Sequence, residues 1–161
     1  MMTRTLIVVV LLFAGVPAKA DQCDRIVANL IAQTPGLQFD KRMPAEEADI
    51  VYLKHPQVIA LSIFCSAPSA PSFTLSADWL QDPAPPAYFQ LIGKLGSILT
   101  GVSANAISAG AIECEKRALA AKGDEGNVES SGIRLQCQAF EHAGGGTTLL
   151  LAPAANTIPP G

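Results

Sequence analysis

The chain predicts an α+β domain: an antiparallel sheet of about five to six strands, with two or three helices packed on it, stapled by two disulfides. Three observations predict it. Apolar residues recur with a helical period in two regions and alternate with a strand period in several others. Four cysteines, an even set, are divided between the two kinds of segment.

Residues 1–20 stand apart from this pattern. Arg4 gives a basic start, Leu6 to Val16 is unbroken and apolar, and Ala18-Lys19-Ala20 supplies small residues around a cleavage point. That order describes a secretory signal peptide, and the apolar run is too short to span a bilayer. Cleavage after Ala20 leaves 141 residues, a common size for one domain. A single α+β domain is expected over 21–152, followed by a flexible C-terminal tail over 153–161. A lipoprotein would carry its modified cysteine directly at the cleavage point, whereas Asp21 and Gln22 precede Cys23 here.

The first helix is expected from Asp21 to Thr34, with Cys23, Ile26, Val27, Leu30 and Ile31 on one stripe, and Pro35-Gly36 ends it. "LQFDKRM" and "DIVYLKH" read as strands joined by "PAEEA", and His55-Pro56 turns the chain into the apolar strand "VIALSIFC". "SAPSAPS" is a turn-rich bridge. "FTLSADW" alternates as a half-buried strand. The proline-rich "QDPAPPA" leads into helical pattern from Tyr88 to Ala121, divided near Gly101, with Ser103 as an N-cap. "KGDEGN" is expected to break the helix before "SGIRLQCQAFEHAGGGTTLLLA", a hairpin with its glycines at the bend.

The cysteines then fall in the order helix, strand, helix, strand: Cys23, Cys65, Cys114, Cys137. The order resembles a degenerate internal duplication. A helix packing on the strands that follow it brings its cysteine over them, which favours Cys23–Cys65 and Cys114–Cys137 among three possible connectivities. Disulfides of this kind belong to an oxidising compartment.

The whole chain has a net charge of −3, and loss of Arg4 and Lys19 with the leader makes it −5. Without a cluster of Lys and Arg, nucleic-acid binding is not expected. Gly93, Ser97 and Gly101 follow a spacing used between membrane helices, but Lys94 and Asn105 interrupt the run, so a soluble core helix is expected and no stable membrane span after signal cleavage.

Signatures of chemistry are sparse. "GVSAN" lacks the closing glycine of a serine-hydrolase elbow, and "IGKLGS" lacks the first glycine of a P-loop. The cysteines are too widely spaced for a redox pair or a zinc knuckle, and Glu46, Glu47 and Asp49 read as a solvated turn. No metal and no cofactor is expected. His55 and His142 are the two histidines, each at a predicted turn. The residues therefore favour a periplasmic or secreted, non-catalytic binding or accessory protein, its partner an envelope protein or a small ligand. The expected surface gathers the turn at His55, the "SAPSAPS" bridge and the bend at His142, Gly144, Gly145 and Gly146. The alternative is a small hydrolase with His55 or His142 as base beside Asp40, Asp78 or Glu141.

Overall fold

The computed structural model describes residues 22–44, 48–66, 72–81, 83–121, 124–140 and 145–154. Its elements are α1 (Gln22–Gln33), β1 (Gln38–Met43), β2 (Ala48–Lys54), β3 (Ala60–Ser66), β4 (Phe73–Trp79), α2 (Pro86–Thr100), α3 (Ala104–Ala120), β5 (Glu125–Ser130), β6 (Ile133–Phe140) and β7 (Gly146–Pro153). All pairings are antiparallel, in the order β1-β2-β3-β4-β7-β6-β5. The fold is thus α+β as expected, with seven strands rather than five to six. The leader expected over residues 1–20 lies outside the described residues, as does the tail beyond Ala154, while Pro153 still belongs to β7.

The additional strand is β5, from the stretch expected only to interrupt the chain. Gly126 made it read as a turn, but a Cβ there would lie 2.3 Å from the Cys114 carbonyl oxygen and 2.8 Å from the Ala118 nitrogen. The glycine lets α3 lie directly on the strand. The same device joins α2 to α3: a Cβ on Gly93 would lie 2.1 Å from Ser108 Oγ and 2.5 Å from the Ala104 carbonyl oxygen. The small residues of α2 therefore serve packing within the domain, and no helix among the described residues is long and apolar enough to cross a membrane. Gly101 ends α2 at φ +75°, donating its N–H to the Ser97 carbonyl. Ser103 occupies the N-cap of α3, but its hydroxyl makes no capping bond.

Period-two alternation puts one side of every central strand against the helices. The register Val51–Ile63–Leu75–Leu151–Leu135–Val128 runs across β2, β3, β4, β7, β6 and β5 in one row. Ile63, Leu75 and Leu151 are wholly buried there, beneath Leu30, Ile92, Leu95 and Ile107 of the helices. The row is nearly palindromic. A pseudo-two-fold through the Leu75–Leu151 pair relates β2-β3-β4 to β5-β6-β7, with β1 as an added outer strand. It brings Cys65 on β3 onto Cys137 on β6, the middle strand of each trio.

Both disulfides join as the packing argument requires: Cys23 of α1 to Cys65, and Cys114 of α3 to Cys137, with Cα separations of 5.7 and 5.8 Å. The helix-then-strand order of the cysteines is this pseudo-symmetry read along the chain. Arg42 on β1 adds an ionic tie beside the first staple, pairing with Asp24 of α1 and Asp49 of β2. Two such bridges belong to an oxidising environment.

Candidate functional site

Strand direction decides which loops can meet. The β2–β3 turn at His55 and the β6–β7 bend before Gly146 lie at the same end of the sheet. They are separated by three strand spacings, roughly 14 Å. Ser66 and Ser72, which flank the proline-rich bridge and bond to each other, lie at the opposite end, one strand length of roughly 20 Å away. The three segments expected to form one surface are therefore anchored apart. Gly145 (φ +73°) and Gly146, which opens β7 opposite Phe140, carry the described part of the bend. His142 and Gly144 lie outside the described residues, as do Glu141, Glu46 and Glu47.

His55 has a structural task. Its Nδ1 accepts the Gln57 backbone N–H at 3.2 Å, so the ring proton sits on Nε2, which faces the Pro35 carbonyl at 3.2 Å. Both nitrogens are thereby spent on holding the β2–β3 turn to the turn after α1. A general base needs a free lone pair directed at a substrate, and none remains. Asp40, offered by the sequence as an acid partner, is paired with Lys54. His55 does line a cleft of about 270 Å³ with Gly36, Lys54, Pro56 and Ile59.

A second polar cluster was not anticipated. Glu115 of α3 is 5% exposed; its Oε1 accepts the Thr147 hydroxyl at 2.7 Å and the Ala84 N–H at 3.2 Å. Nearby, Tyr88 donates to the Ala77 carbonyl at 2.8 Å. Burial first, then the charges of Asp78 and Glu115, push its phenol well above the ordinary range. The sequence offered no signal for this, because Glu115 sits in the charged run Glu113 to Arg117. Tyr88 and Thr147 are sealed from solvent, so the cluster ties α3 to β7 and to the start of α2 and has no route for a substrate.

The sheet face that no described helix covers, hereafter the open face, has registers that can be followed strand by strand. One row runs Lys41–Tyr52–Ser62–Ser76–Leu150–Gln136–Asn127 across all seven strands. Beside it Met43, Ile50 and Phe64 form an apolar end. On its other side Asp78, Thr148, Gln138 and Glu125 form a polar row. Lys41 lies over the Tyr52 ring, 4.8 Å from its centroid. A groove of about 260 Å³ follows β5, β6 and β7.

Among the described residues no group of His, Cys, Asp and Glu could hold a metal ion. Comparison with protein-family models, with curated proteins and with solved structures finds no match to the chain. Fold and surface together define a disulfide-stapled, two-layer α+β domain with one sheet face that none of the described helices covers.

Proposed function

We propose that the protein is a non-catalytic binding or accessory protein, exported by cleavage after Ala20 to the periplasm or the exterior, and that it works through the helix-free face of its sheet. One observation carries this reading. Across the pseudo-two-fold, the helix-side positions keep their chemistry: Val51 with Val128, Ile63 with Leu135, Cys65 with Cys137 and Leu75 with Leu151. On the other face the related positions differ in kind, with Ile50 and Phe64 in one half and Asn127 and Gln136 in the other. Stability accounts for the first set. The second is free to serve recognition, on a rigid scaffold that holds side chains at fixed spacing. The commitment of both His55 nitrogens supports binding over hydrolysis.

The test is photo-crosslinking from single positions in exporting cells. Phe64 and Gln136 report the open face; Asn29 and Glu113 report the helix side. Adducts that arise from the first pair and not the second are expected. Equal labelling of the two sides, or adducts from the helix side alone, would remove the open face from the account.

A further inference from the structure

We infer that the β5–β6–β7 half of the open face is a binding site for a neutral oligosaccharide, an assignment that rests on the binding role just proposed and names its ligand. The groove there is lined by Glu125, Asn127, Gln136, Gln138, Thr148 and Leu150. Among the described residues, the side chains of Glu125, Asn127, Gln136, Gln138 and Thr148 form no hydrogen bond with one another or with any other group. Three carboxamides, a carboxylate and a hydroxyl thus stand on neighbouring strands without partners among the described residues, where a ligand can exchange with their solvent.

The fold does not require them. At the positions related by the pseudo-two-fold, Glu125 is replaced by Ala48, Asn127 by Ile50, Gln136 by Phe64, Gln138 by Ser66 and Leu150 by Thr74. The same backbone accommodates Ala48, Ile50 and Phe64 in place of Glu125, Asn127 and Gln136, so the fold does not dictate the polar set.

The lining selects the ligand class. It contains no Lys, Arg or His, so phosphates, sulfates and acidic polymers find no counter-charge. A carboxamide both donates and accepts, as does a sugar hydroxyl, and the Glu125 carboxylate accepts from hydroxyl donors. Neighbouring strands are about 4.8 Å apart, a spacing close to the length of a pyranose ring, so a chain laid across the strands meets one polar side chain per sugar. Leu150, half-buried in the floor, offers an apolar contact to the C–H face of a ring. A peptide extending the sheet would instead take the outer edge of β5, since the groove's own backbone groups are spent on strand pairing.

The experiment is an NMR titration of the mature, disulfide-bonded protein with chitotriose, cellotriose and trilysine, following the side-chain amide signals of Asn127, Gln136 and Gln138. Chitotriose or cellotriose is expected to shift these signals saturably. The double substitution Gln136→Ala/Gln138→Ala, at exposed positions that leave both staples in place, is expected to weaken binding by about tenfold or more, the loss of two hydrogen-bonding groups. Failure of both sugars to shift these signals, shifts centred on the His55 cleft, or a response to trilysine alone would overturn the assignment. If open-face crosslinking in cells persists while both sugars fail, the ligand class falls and the binding face stands; loss of the crosslinks removes the face itself.

Discussion

Replacing Gly126 by alanine tests the closest contact between the layers. The added Cβ would sit 2.3 Å from one backbone atom of α3 and 2.8 Å from another. Ordinary carbon contacts lie near 3.5–4.0 Å, so the helix and strand must separate by about 1 Å. They cannot do so freely, because Gly126 pairs with Cys137 and Cys137 is bonded to Cys114 in the same stretch of helix. Overpacking that side-chain rotation cannot relieve costs about 3 kcal/mol, the upper part of the usual range. In a domain of this size that lowers Tm by roughly 10 °C. Gly110→Ala is the control. Its Cβ would meet side-chain methyls alone, Leu135 Cδ1 at 2.9 Å and Val128 Cγ1 at 3.9 Å, and the helix gains about 1 kcal/mol in propensity, so the net change should be close to zero. The assay is thermal and urea unfolding under non-reducing conditions, with peptide mapping to confirm the bridges. If Gly126→Ala costs no more than Gly110→Ala, α3 does not lie on β5 and the seventh strand is misplaced.

Three further outcomes follow from the packing. Non-reducing peptide mapping should recover Cys23 joined to Cys65 and Cys114 joined to Cys137, and replacing either pair by alanine should cost about 3–4 kcal/mol on the chain-entropy account; crossed links would refute the helix-on-following-strand argument. Glu115→Leu should cost about 2–4 kcal/mol by stranding the Thr147 hydroxyl and the Ala84 N–H in the core, and adding Thr147→Val should recover part of that loss in a double-mutant cycle. Because the Tyr88 phenol is raised in the folded state, its contribution is fully present below the unfolded value near pH 10 and is lost above it as the unfolded chain ionises first. The difference in stability between the wild type and Tyr88→Phe should therefore narrow by about 1.4 kcal/mol per pH unit above pH 10, and a difference independent of pH would show the phenol to be solvated.

Local features of the fold were legible wherever one residue type had one physical reading. The stripe Cys23, Val27, Leu30 marked α1, the alternation Phe73, Leu75, Ala77 marked β4, and the four cysteines carried the pairing. Gly126 misled because glycine at a strand can mean a turn or a close helix, and only the partner helix distinguishes the two. Glu115 gave no signal, because a carboxylate within a charged run reads as solvated until Thr147 and Ala84, both distant in sequence, are brought to it. The open face was not legible at all. Its rows depend on β4 lying beside β7, a pairing that no local pattern encodes, and the same pairing sets the roughly 14 Å between the His55 turn and the β6–β7 bend.

Hydroxyl-radical footprinting, comparing purified mature protein with protein oxidised inside exporting cells, tests the central claim that the open sheet face is the working surface. Met43, Tyr52, Phe64 and Leu150 report that face, while Leu80 (63% exposed) and Ile112 (38% exposed) report the rest of the surface. Protection in cells is expected at the open-face reporters, with Leu80 and Ile112 oxidised equally in both settings. Protection confined to Leu80 and Ile112, or equal oxidation at every position, would contradict it.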